Sequence, residues 1–340
     1  MKAAVRDAYG GWEVVRVEEI PPPVPRAGEI LVRVHAASVN RADLDQIHPR
    51  PSFLRLFLGP RRPRNRRLGS DVAGVVEAVG PGATRFRPGD RVFADLFSSG
   101  QGSFAELVSA PEKVFEPIPA GIDFETAATL PHAAILALQG LRDRRGTPVR
   151  RGARVLVVGE SGNVGPFAVQ IAKWLGAEVT GVCSTGKVDF VRSLGADHVI
   201  DYRTTDFATT GERYDWILDV DANQPLLHAR RALRPGGRYV LLGGNVRDLL
   251  QGVVLGPLTG LLGSRRAGLM LWWKPFAPVD ARTLTDLVLA GHIRPAIDRR
   301  YPLAEAAEAL RWVDEGHAKG KVLIINDEPR ATMGPGGNAR

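Results

Sequence analysis

Residues 154–183, RVLVVGESGNVGPFAVQIAKWLGAEVTGVC, constrain the fold more than any other part of the chain. A mostly β-branched run leads into Gly159, Gly162 and Gly165, a helical pattern follows from Val164 to Leu175, and a second strand pattern closes at Cys183. Glycine suits these positions because the chain must turn tightly, let a pyrophosphate approach its backbone and pack the helix closely on the strand. Backbone N–H groups at the helix start then face an anion. With a strand on either side, the spacing reads as a dinucleotide loop whose binding residues are Gly159, Ser161, Gly162, Asn163, Val164 and Gly165.

The same rhythm continues downstream. Strand patterns at 198–200, 214–219 and 238–244 alternate with helical ones at 188–194 and 225–233, which predicts a parallel sheet covered on both faces. Gly243, in the last of these runs, joins the expected cofactor residues. Up to residue 127 the pattern differs: β runs at 30–36, 72–79, 91–94 and 104–108, set off by Gly/Pro/Asp turns, predict a β-rich, barrel-like unit. After residue 274 come TLTDLVLAGHI, a helical run at 303–315 and an apolar strand at 321–325, which leave the alternation. The expected fold class is α/β, with a doubly wound domain and a β-rich one.

A length of 340 residues fits two packed domains. One cysteine excludes an internal disulfide framework and a zinc site built from several thiolates, and fits a reducing compartment. With no apolar signal core after Lys2, a cytoplasmic location is expected. The longest apolar stretch, Leu249 to Gly263, is broken by glycine and proline and is too short to span a bilayer. Residues 50–67 carry seven arginines and no acid, which accounts for nearly all of the net charge of +8. Two readings of this loop stand open: arginines paired with the protein's own carboxylates, or a surface for nucleic acid, phosphate or acidic lipid.

The residue closing the second strand decides between the two nicotinamide dinucleotides. A carboxylate there would accept from the adenosine ribose and repel a 2′-phosphate. The sequence instead has Cys183-Ser184-Thr185-Gly186-Lys187, hydroxyls and a cation that suit the phosphate. NADPH is the expected cofactor.

SVNRADL at 38–44, GSDVAGVVEAVG at 69–80, RFRPGDRVFA at 85–94, GSFAELV at 102–108, GESGNVG at 159–165, SLGADHVIDY at 193–202 and GKVLI at 320–324 resemble the medium-chain dehydrogenase/reductase superfamily, in its zinc-free quinone-oxidoreductase-like branch. The resemblance runs over residues 1–326 and implies a GroES-like substrate domain built from both ends of the chain around a Rossmann domain. The implied bounds are 1–127 and 274–326 for the substrate domain and 128–273 for the NADPH-binding domain, with 327–340 a disordered tail. It also implies an active site in the cleft, reduction of quinones, activated C=C or C=O bonds, and 2′-phosphate contacts from Ser184, Lys187 and Tyr202. A homodimer is expected from the branch and from LMLWW at 269–273, read as an apolar edge strand.

Zinc-dependent relatives place their ligands at positions matching Asn40, Ser70, Asp71 and, nearby, His132. One histidine without a thiolate does not make a catalytic zinc site, so no metal is expected. Without a Lewis acid, a hydride acceptor that spreads charge onto oxygen, such as an enone or quinone, is favoured over an alcohol substrate. Asn40, Asp43 and His132 are the candidate catalytic residues; capping a helix and filling the domain interface are their alternative roles. Asn163 stands where relatives have glycine, and a weakly catalytic dinucleotide sensor or scaffold remains the competing function.

Overall fold

The computed structural model describes residues 1–49, 55–159, 162–222, 224–244, 246–256, 259 and 263–326. Ser161, residues 50–54 and the expected tail 327–340 lie outside them. In chain order the strands are β1 (Lys2–Val5), β2 (Arg16–Glu19), β3 (Glu29–Val39), β4 (Asp71–Val79), β5 (Arg91–Asp95), β6 (Leu107–Pro111), β7 (Phe115–Pro117), β8 (Arg154–Val158), β9 (Glu178–Cys183), β10 (His198–Asp201), β11 (Tyr214–Asp219), β12 (Leu233–Leu241), β13 (Arg266–Leu269), β14 (Ile297–Pro302) and β15 (Lys321–Ile325).

β3 organises the substrate-side sheet. Its register on β4 shifts at two points, Leu31/Val32 and Val34/Ala36. Such irregularities bend a strand. The first half of β3 pairs with β6 and the second half with β15, giving a seven-stranded sheet ordered β14-β15-β3-β4-β5-β7 with β6 alongside β3. The chain therefore returns to its own N-terminal sheet through β14 and β15. The ends of β3, β4, β5 and β15 bring Ser38, Asp71, Asp95 and Lys321 to one region.

The other sheet is six parallel strands in the order β10-β9-β8-β11-β12-β13. Strand order reverses beside β8, whose carboxyl end leads into Gly159; this is the crevice where open parallel sheets bind ligands. Buried apolar side chains run continuously between the two sheets, as where Phe93 of β5 meets Phe276 edge-on at 5.2 Å.

Several sequence expectations shift. The strand foreseen at 104–108 begins at Leu107, because Ala105 is bridged to Ala3 of β1 instead. The helix foreseen at 225–233 is one α-turn, Leu226–Ala229, and a 3-10 turn, since Leu233 already belongs to β12. The edge strand read at 269–273 stops at Leu269: Trp272 and Trp273 turn inward onto the core. Of the arginine-rich loop, Arg55–Leu58 is helical, Arg66 pairs with Asp7 and Glu18, and Arg55 lies over the Tyr9 ring. Among the described residues no helix is long and apolar enough to cross a membrane.

Candidate active site

Gly159 leaves β8 with φ +82°, a conformation that L side chains rarely adopt. A Cβ on Gly162 would meet only Gly159 O, at 3.7 Å, among the described residues, so this backbone lies open to close approach. Val164 caps the helix Gly165–Trp174, and Pro166 sits in its first turn, where its missing N–H costs nothing. These features fit a pyrophosphate at the helix start. Asn163 Nδ2 donates to Val39 O at 3.2 Å, which ties the loop to the other domain one residue before Asn40. Gly243 serves the backbone: a Cβ there would lie 2.7 Å from Val220 O, and its carbonyl accepts from Ala222 N.

Asn40 ends β3, caps the helix Arg41–Ile47 and is 1% exposed. Its Oδ1 accepts from Lys321 Nζ at 2.7 Å, and its Nδ2 donates to Asp71 Oδ2 at 2.9 Å. Asp71 Oδ2 also accepts from Ser38 Oγ at 2.7 Å and faces Lys321 Nζ at 3.4 Å. Asp43 accepts from Asn40 N at 2.8 Å and from Ser70 Oγ at 3.3 Å. Burial pushes the Asp43 carboxyl up to about 7, the nearby Asp71 charge adding to the shift. Burial likewise raises the Asp71 carboxyl against the pull of Lys321, and lowers the Lys321 ammonium. Asn40 and Asp43, expected as direct donors, spend their polar atoms inside this network.

His132 enters through a break in helical geometry. Pro131 has no N–H to give, and Leu130–Ala134 form a π-helical turn between the helices Phe124–Thr129 and Ile135–Gly140. The freed His132 N–H donates to Asp71 Oδ1 at 3.0 Å. The ring's Nδ1 meets Asp95 Oδ2 at 2.9 Å; a carboxylate accepts, so Nδ1 carries the proton and Nε2 remains for other chemistry. Burial works against the charged ring, but the Asp95 charge and hydrogen bond prevail, and the imidazole stays protonated to a higher pH than usual. Phe97 and Trp273 stand 5.7 and 5.6 Å from it, ring centre to ring centre, and form an aromatic wall. Asp95 and Lys321 had no role in the sequence reading.

Where the sequence predicts 2′-phosphate contacts, Ser184 caps the turn after β9. Lys187 Nζ donates to the carbonyls of Gly316 and Ala318, both at 3.1 Å, and so joins the two domains. Tyr202 is exposed, its N–H bonded to Cys183 O. A carboxylate does stand near: Asp201, in register with Cys183, accepts from Thr185 Oγ1 and Arg203 N.

A family model described as an alcohol dehydrogenase GroES-like domain matches residues 26–120, and one described as a zinc-binding dehydrogenase matches 194–324. The chain is 34% identical to the mitochondrial NAD(P)H oxidoreductase RTN4IP1 of Mus musculus, over 95% of this chain and 89% of that one. It is 31% identical to a chloroplast envelope quinone oxidoreductase homolog of Arabidopsis thaliana, over 95% and 98%. The chain belongs to the medium-chain dehydrogenase/reductase superfamily, in its quinone-oxidoreductase-like branch. Its fold superposes on Escherichia coli quinone oxidoreductase complexed with NADPH with a TM-score of 0.81, at 25% identity over 96% of this chain and 100% of that one. Zinc, which the second family description implies, does not fit this superfamily member's residues. The positions that resemble a zinc site hold an amide, a hydroxyl, a carboxylate and a histidine bound to Asp95, and the Lys321 ammonium donates to two of the oxygens a metal would need.

Proposed function

We propose that the chain is an NADPH-dependent, metal-free reductase of quinones or enones, working as a homodimer. The Asn163–Val39 hydrogen bond carries the reading, because it holds the dinucleotide loop against the residue that precedes Asn40. When bound, the reduced nicotinamide supplies a hydride to the conjugated carbon or quinone ring. His132 supplies the matching proton, with Asp71 holding its backbone and Asp95 its ring. Asn40, Asp43 and Lys321 position that frame. Phe97 and Trp273, edge-on to each other, give the site an apolar aromatic lining that supports a conjugated substrate. Cys183, buried and outside any disulfide, supports a reducing compartment such as the cytoplasm.

The test is NADPH oxidation with 1,4-benzoquinone and but-3-en-2-one, in chelator and without it. Turnover is expected in both conditions, and His132→Gln should lower kcat by about 100-fold while the NADPH dissociation constant stays nearly fixed. About one zinc per chain with activity lost in chelator, or no turnover of either compound, overturns the proposal.

A further inference from the structure

Arg6 follows β1, its N–H bonded to Arg66 O at 2.9 Å. The residue is 2% exposed, yet Nε and Nη1 meet no acceptor among the described residues. The acid that bears on it is Asp43, whose oxygens are already taken by Asn40 N and Ser70 Oγ. One helical turn after Asp43 on the same face comes Gln46, 5% exposed, and its Nε2 also meets no partner among the described residues. The surroundings add positive charge: Arg55 stacks over Tyr9, and Arg6, Arg55 and Arg64 all act on that phenol.

Buried donors without acceptors are costly, a charged pair of them most of all. Native structures keep them where a ligand, an ion or an ordered water completes the bonds. The charge of Arg6 bears on Asp43, and Gln46 shares the helix Arg41–Ile47 with it, so these donors border the network around Asn40. A guanidinium offers parallel N–H groups that match a carboxylate, and Gln46 adds a neutral donor.

We propose that Arg6, helped by Gln46, binds a carboxylate of the substrate, so that the reducible group belongs to an anionic compound. This rests on the reductase reading above and narrows its substrate class.

The experiment compares (E)-4-oxopent-2-enoate with its methyl ester under NADPH. Wild type is expected to favour the acid at least tenfold in kcat/KM. Arg6→Met should bring the ratio near one and Gln46→Leu should lower it at least threefold, while the exposed Arg61→Met keeps it. Replacing an unpaired buried cation by an apolar chain should leave the melting temperature unchanged or raised, whereas a structural role for Arg6 would lower it. Calorimetric binding of 4-oxopentanoate to the protein gives a readout free of turnover, and should weaken at least tenfold in Arg6→Met. Arg6-dependent binding without reduction of either compound would sink the reductase reading and keep the anion site. Equal kcat/KM for acid and ester in wild type, a ratio that survives Arg6→Met, or tighter binding of inorganic phosphate than of 4-oxopentanoate overturns the proposal.

Discussion

The ammonium of Lys321 lies 2.7 Å from Asn40 Oδ1, although 281 positions separate the two residues in the chain. The pairing of β15 with β3 creates this contact, with Val322 opposite Val39. It puts a buried cation among Asp43, Asp71 and Asp95. Lys321→Met would leave Asp71 buried with one fewer partner and should cost about 3–5 kcal/mol. Adding Asp71→Asn removes the orphaned charge and should recover most of the loss. Urea unfolding of wild type, both single variants and the double variant measures the coupling; additive losses would mean that Lys321 and Asp71 do not act as a pair.

The same burial gives the protein a pH-dependent stability. Asp43 ionises at about 7 in the fold against 3.8 for an unperturbed aspartate side chain, so the folded state binds more protons between those values. Stability from this group is present at low pH and is lost as pH rises toward 7, by an amount of about 4 kcal/mol. The raised Asp71 acts in the same direction, as does the raised His132, whose contribution is lost as pH passes its folded value. Lys321, lowered by burial, acts oppositely, over the range below 10.5. The urea midpoint should therefore fall from pH 5 to pH 8, and fall less in Asp43→Asn. Parallel profiles for the two proteins would contradict the assignment.

Local signals carried much of the fold. The strands at 178–183, 214–219 and 321–325 stand where their β-branched, aromatic and other apolar residues place them, because each is largely buried and pairs with a fixed neighbour. Short motifs also hold Asn40 and His132, and the fold brings both onto Asp71. Lys321 was not: in sequence it is merely the polar start of an apolar strand, and its burial follows from a pairing across nearly the whole chain. Asp95 and Arg6 were hidden for the same reason. Each is polar at the end of a strand pattern, where solvent is the ordinary expectation, yet both are buried in the fold. The Trp272–Trp273 pair misled because an edge strand and an inward turn share the same apolar composition.

The edge of the parallel sheet is β13, and beside it the helix Val246–Val254 leaves Leu250, Val253 and Val254 exposed. Pairing two β13 edges about a two-fold axis would extend the sheet and cover these side chains. The expected mass in solution is twice 36.8 kDa, and Val254→Asp should shift it toward the monomer. Sedimentation equilibrium at micromolar protein decides this, and a monomeric wild type would count against the dimer.

Cofactor choice depends on a crowded corner. Ser184 caps the turn after β9 and Lys187 ends it, and a carboxylate beside it, Asp201, is occupied by Thr185 Oγ1 and Arg203 N rather than left to accept from a ribose. The Thr185 hydrogen bond holds Asp201 ionised below the usual range, so its charge works against a 2′-phosphate and tempers the preference. On the NADPH proposal, a charge-assisted hydrogen bond from Lys187 would be worth about 1.5–3 kcal/mol, and NADPH is expected to bind about 10- to 100-fold tighter than NADH. Lys187→Ala should remove most of that gap by weakening NADPH, and Ser184→Asp should reverse it by adding both a ribose acceptor and a repelling charge. Because Lys187 also bonds the Gly316 and Ala318 carbonyls, its loss should loosen the domain contact for both cofactors alike, which the ratio of dissociation constants cancels. Fluorescence titration of both cofactors on wild type and the two variants reads that ratio. Equal wild-type affinities, or an unchanged ratio in Lys187→Ala, would show that other groups read the phosphate.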